Sequence, residues 1–128
     1  MNISLKDVLV KVLDRLKNTG TVVDGTSLAT TVASAQKTNT AKVELSAGVW
    51  IVIFNAALSL SSGKQYQATI AITSDLASEQ NYTGQLVRLN LSAVVNLTQE
   101  TTIYGTMYHN QGSSVSINTN KMWAVRIR

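Results

Sequence analysis

Gln85-Leu86-Val87-Arg88-Leu89-Asn90-Leu91-Ser92-Ala93-Val94-Val95-Asn96-Leu97 carries the clearest periodicity in the chain. Val87, Leu89, Leu91, Ala93, Val95 and Leu97 recur at every second position, and Arg88, Asn90, Ser92 and Asn96 occupy the intervals. Successive side chains of a strand point to opposite faces, so this segment reads as a half-buried β-strand. The same period returns along the chain. Ala68, Ile70 and Ile72 alternate with Thr69 and Thr73, and Ile103, Gly105 and Met107 with Tyr104, Thr106 and Tyr108. Val115 and Ile117 alternate with Ser114 and Ser116, and Trp123, Val125 and Ile127 with Ala124, Arg126 and Arg128. Val43 and Leu45 bracket Glu44, and Leu28 to Ala35 is a softer, Thr- and Ala-rich candidate. Turn signals part these runs at Asp24-Gly25, Ala47-Gly48, Ser62-Gly63, Gly84, Gln111-Gly112 and Asn118-Thr119-Asn120. Short strands at this spacing, with no helical crossovers, predict an all-β antiparallel sandwich or barrel. Val49 to Phe54 is apolar at successive positions, so both its faces need cover from a second layer or a neighbouring subunit.

Residues 1–18 follow a different rule. Ile3, Leu5, Val8, Leu9, Val12, Leu13 and Leu16 recur at helical spacing. Ser4 and Asp7 form a capping-box pattern with Ile3 and Val8 as its staple, and Asn18-Thr19-Gly20 supplies a stop. Leu5, Leu9, Val12 and Leu16 are spaced as a coiled-coil seam, and Leu at a with a β-branched residue at d leans toward three or more strands. So short a helix is marginal alone in water. It either docks on its own domain or bundles with its copies. The expected division is a trimerisation helix at 1–18 and a sandwich head at 19–128.

Composition narrows the function. The chain has 128 residues, 14% of them charged, and Thr, Ser, Asn and Gln make up 45 of them. There is no Cys and one His, which removes disulfide frameworks, thiolate metal sites and cysteine nucleophiles together. The net charge of +4 is scattered and lacks interleaved aromatics, so no nucleic-acid partner is expected. The charged N-terminal segment is not a signal peptide, and no apolar run has the ~18 residues of a membrane span. No cofactor is expected.

An enzyme is not expected either. His109 is the one candidate general base near neutral pH, and Ser113 and Ser114 beside it read as turn residues. Asp75 and Glu79 read as one exposed loop, with too few oxygens for a hard cation. The aromatics suggest a ligand surface instead. Tyr104 and Tyr108 share one strand face, with His109, Asn110 and Gln111 at its end: rings to stack on a sugar and amides to read its hydroxyls. The alternative is that both rings pack on a neighbouring strand or subunit. Tyr66 and Tyr82 read as loop-side anchors.

Three segments resemble one family. Ala47-Gly48-Val49-Trp50-Ile51-Val52 is similar to a strand start of trimeric jelly-roll heads, and Thr101-Thr102-Ile103-Tyr104 through His109-Asn110-Gln111-Gly112-Ser113-Ser114-Val115-Ser116-Ile117 to their penultimate hairpin. Trp123-Ala124-Val125-Arg126-Ile127 is similar to their closing strand. These heads share the fold of tumour necrosis factor and the complement globular head, and similar domains cap bacteriophage tail fibres and receptor-binding proteins. The resemblance, over residues 40–128, implies a homotrimeric jelly-roll β-sandwich behind a short N-terminal α-helix. It further implies a virion surface protein made in the host cytoplasm, with other virion proteins and a bacterial surface glycan as partners. The alternative is a capsid decoration or head-fibre protein with no glycan site.

Overall fold

Ser4 caps helix α1 (Leu5–Asn18): its Oγ accepts the Asp7 backbone N–H at 3.2 Å, satisfying one of the donors that a helix start leaves open. The computed structural model describes residues 4–128, so Ile3, half of the expected staple, lies outside it, as do the side chains of residues 14–18, Leu16 among them. Gly20 takes a left-handed φ of 82° and donates its N–H to the Arg126 carbonyl at 2.8 Å, tying the chain to the sandwich as it leaves the helix.

Ten strands follow: β1 (Val22–Asp24), β2 (Thr26–Ser27), β3 (Thr31–Val32), β4 (Thr38–Leu45) and β5 (Gly48–Ser59), then β6 (Lys64–Ala71), β7 (Asp75–Thr83), β8 (Leu86–Leu97), β9 (Thr101–His109) and β10 (Val115–Arg126). Sheet I runs β1-β10-β5-β8, with β3 also paired to β10; sheet II runs β2-β4-β9-β6-β7. All pairings are antiparallel. From β4 onward the chain changes sheet at every connection except β6–β7, which makes the two layers a jelly roll. The first change, from β1 to β2, passes through Gly25. A Cβ there would stand 2.6 Å from the Lys42 carbonyl oxygen and 2.7 Å from that of Met122, so only glycine fits between the two backbones.

The alternation seen in the sequence sets the core. Leu89, Leu91, Val95 and Leu97 of β8 face inward, as do Trp50, Val52, Phe54, Ala56 and Leu58 of β5 and Ile103 and Met107 of β9. Gly105 sits between Ile103 and Met107 because the Phe54 ring occupies the place of its side chain, 2.7–2.9 Å from where a Cβ would stand. At the helix end, the Trp50 indole donates to the Ser46 carbonyl at 2.9 Å while the Arg126 guanidinium lies over its ring at 5.6 Å.

Four expectations are corrected. Asp75 and Glu79 lie on edge strand β7, not in a loop; a segment with so few apolar residues looks like a loop, yet needs only its backbone to pair with β6. Leu28 to Ala35 yields only the two residues of β3, and Ala35 ends it at φ 58°. Asn118-Thr119-Asn120 is not a turn but an irregularity inside β10, where the register with β5 shifts between Ile117 and Thr119. Asn120 uses that kink to donate to the Thr40 carbonyl at 2.7 Å and to Ser27 Oγ at 3.1 Å, joining the two sheets. Tyr66 is no loop anchor: it is buried in the core, and burial, with Glu79 nearby, pushes its phenol well above the ordinary range.

Candidate functional site

The outer faces of the two sheets differ in chemistry. On sheet II, cross-strand register places Gln67 between Tyr108 and Gln80, and Thr69 between Thr106 and Ser78. Gln67 Nε2 donates to Ser78 Oγ at 2.8 Å. Tyr104 stands beside Lys42 and Ala71, and Lys42 pairs with Glu44 at 3.0 Å. Tyr104 and Tyr108 are half-buried on this face, and Tyr82 stands exposed on the edge strand. The result is a sheet surface of amides, the Ser78 hydroxyl, the Lys42–Glu44 pair and tyrosine rings, with Thr69 and Thr106 buried among them.

The turn residues expected beside those rings are held otherwise. His109 points inward and is fully buried, with Nε2 2.7 Å from the Val32 carbonyl oxygen and Nδ1 accepting the Gln111 N–H at 3.1 Å. The structure therefore takes it off the tyrosine face, because β9 alternates and His109 follows Tyr108. Asn110 Oδ1 accepts the Gln65 N–H at 2.7 Å. Gln111 clamps Ser61 twice, accepting its N–H at 3.0 Å and donating to its Oγ at 2.7 Å. Beside Tyr108 stands Gln67 of β6, with Gln80 of β7 one strand further on. β6 and β9 are not consecutive in the chain, and β7 carried too little periodicity to place Gln80.

Sheet I is apolar outside as well as inside, but only over half its length. Val22, Val125, Ile51 and Val94 form one row across β1, β10, β5 and β8, and Trp123 and Ile53 sit together in the next. Val22 is 57% exposed and Val94 68%. Toward the other end the face becomes Lys121, Asn55 and Asn90. The apolar half is the one beside α1, since Val22 follows the helix closely and the Gly20–Arg126 bond holds them together. On α1 itself Leu5, Val8, Leu9, Val12 and Leu13 are all exposed, 44% or more, so the described part of the seam is not covered by its own domain.

Against known proteins, no family model matches the sequence and no curated protein matches it. Among solved structures, Eiger TNF from S. frugiperda aligns with TM-score 0.60 over 86% of this chain and 94% of that one, at 8% identity. The fold is a TNF-like jelly roll. The VP2 subviral particle of infectious bursal disease virus aligns at TM-score 0.39 and 14% identity, over 87% of this chain but 30% of that one. Among the described residues no group of three or more His, Asp or Glu is placed to hold a metal, and no helix is long and apolar enough to cross a membrane.

Proposed function

We propose that this chain is a self-associating head, three copies to an assembly, of the kind that caps a phage fibre or receptor-binding protein, and that it holds bacterial surface carbohydrate on the outer face of sheet II. The observation that carries this reading is the uncovered seam of α1. A helix of 14 residues is marginal alone, and each Leu or Val on its stripe gains ~2 kcal/mol when taken out of water. Copies of the same helix supply the matching surface, with Leu9 at a and Leu5 and Val12 at d.

The apolar half of sheet I continues that surface. A ring of three copies is built from heterologous contacts, each copy offering one patch to one neighbour and a different patch to the other. Val94, on edge strand β8, is the exposed aliphatic at one end of the row, and the Val22–Val125 end meets it on the next copy. Sheet II then faces away from the axis with Tyr104 and Tyr108. Three weak sites on one rigid body gain avidity for a repetitive envelope polymer.

The test is the solution mass by light scattering, expected near three times 13.8 kDa; a monomer overturns the assembly. Binding to a bacterial envelope preparation, lost on Tyr108→Ala with the mass unchanged, is the expected result for the carbohydrate face. One observation favours the alternative, a decoration protein without a glycan site: the Asn110 and Gln111 amides are spent on internal bonds. Failure of the trimer to bind any envelope preparation would decide for it.

A further inference from the structure

We infer that the outer face of sheet II takes a neutral glycan chain laid along β9, with the Thr106 hydroxyl as its central contact, an inference that rests on the carbohydrate reading above. Thr106 stands on the outer face, two residues from Tyr104 on one side and two from Tyr108 on the other. Yet it is only 3% exposed, and its hydroxyl has no hydrogen-bond partner among the described residues. Register sets Asn39 of β4 on one flank and Thr69 of β6 on the other. Sheet I lies behind β9, so the cover over Thr106 comes from side chains of this face.

A buried hydroxyl without a partner is a cost, because it has given up water and gained nothing in return. The other buried threonines each find a partner: Thr40 donates to the Gly105 carbonyl at 3.3 Å, and Thr69 meets Ser78 Oγ at 3.5 Å. At position 106 valine would have nearly the same shape and no polar atom to satisfy, so the hydroxyl serves something outside the fold. The half-buried rings on either side indicate what. Tyr104 and Tyr108 are four residues apart on one strand, which at ~3.4 Å per residue sets their Cα atoms about 14 Å apart. That is more than one sugar ring covers. A ligand stacked on both rings is therefore a chain, and its middle crosses Thr106. Parting the rings brings a sugar hydroxyl onto Thr106 Oγ1, which can donate as well as accept.

The charges around this face cancel. Lys42 is paired with Glu44 at 3.0 Å, and Lys37 with Asp75 at 2.7 Å. β9 itself carries no Lys, Arg, Asp or Glu. On β6 the outward positions are Gln65, Gln67, Thr69 and Ala71, all uncharged. With no cation left over on these strands, the face offers nothing to a carboxylate or phosphate on a polymer. Rings, amides and a spare hydroxyl suit a neutral, hydroxyl-rich chain instead.

The test uses the whole protein and polysaccharide from an envelope preparation that binds it, split by anion exchange into neutral and acidic fractions. Binding should reside in the neutral fraction and stay within about twofold between about 50 and about 500 mM salt, a range that screens ion-pair recognition. Thr106→Val should weaken binding by about three- to tenfold, the worth of one hydrogen bond, while its urea midpoint stays level or rises. Tyr104→Ala should weaken binding as Tyr108→Ala does. Binding confined to the acidic fraction, or falling steeply with salt, overturns the inference and leaves the carbohydrate reading standing. So does a Tyr104→Ala or Thr106→Val variant that binds like the unaltered protein, or a Thr106→Val variant that is destabilised, since the hydroxyl would then serve the fold. If no envelope preparation binds, the carbohydrate reading itself fails and takes this inference with it. Should Thr106→Val not fold, the Thr106 methyl resonance of the unaltered protein decides: it must shift as the neutral fraction is added, and a fixed resonance overturns the contact.

Discussion

The assembly can be tested by introducing thiols into a chain that has none. In the double variant Val22→Cys/Val94→Cys, the two positions end one row across β1, β10, β5 and β8. Three inter-strand steps of ~4.8 Å set their Cα atoms about 14 Å apart. A disulfide needs Cα atoms within ~7 Å, so the bond cannot close inside one chain. In a closed ring each copy offers one position to each neighbour, and three bonds complete the circle. Oxidation followed by a non-reducing gel should therefore give species at two and three times 13.8 kDa, with the larger as the end point. Each single variant should stop at two copies at most. If light scattering shows an oligomer but no cross-link forms, the copies meet elsewhere than on this row. A ladder running beyond three would mean an open filament, and the reasoning from closure would fail.

Other perturbations address the remaining links. Leu9→Asp with Val12→Asp should lower the assembled mass without moving the melting of the sandwich, because the described helix side chains are all exposed; light scattering and thermal denaturation read the two separately. Gly105→Ala should cost about 1–3 kcal/mol in urea unfolding, because the new methyl would stand within 2.9 Å of the Phe54 ring in a packed core, and an unchanged midpoint would show that the ring has somewhere to go. Tyr108→Ala should weaken envelope binding while leaving the mass unchanged, since the ring is half-exposed on the face turned away from the proposed contacts.

Much of the fold was legible because periodicity reports burial directly. The alternation of residues 85–97 placed Leu89, Leu91, Val95 and Leu97 in the core, and Ser4 capped the helix as its spacing implied. The doubly apolar run from Val49 to Phe54 marked strand β5, whose Trp50, Val52 and Phe54 are buried while Ile51 and Ile53 stay half-buried on the outer face. What periodicity could not read was anything held by the backbone alone. Edge strand β7 pairs along its length with β6 while showing almost no apolar pattern. Asn120 looks like a turn residue and acts as a clamp, because its amide reaches Thr40, 80 residues away in sequence. The tyrosine face was half legible: Tyr104 and Tyr108 share it, but His109 is on the other side of the same strand. Gln67 and Gln80 reach it only through a register that no local pattern records.

The bond between the Gly20 N–H and the Arg126 carbonyl, and that between the Val49 N–H and the Arg128 carbonyl, put the helix exit and the last residues at one pole. This gives the head a mechanical direction. A pull between residues 20 and 128 would peel β1 from β10 one hydrogen bond at a time, the weakest way to load an antiparallel pair. A pull between the helix and the far end of the sandwich would run along the strands and share the force across many bonds at once. Drawn between its helix and its far end, the sandwich resists in its stiffer direction; stretched between residues 20 and 128, it would open like a zip.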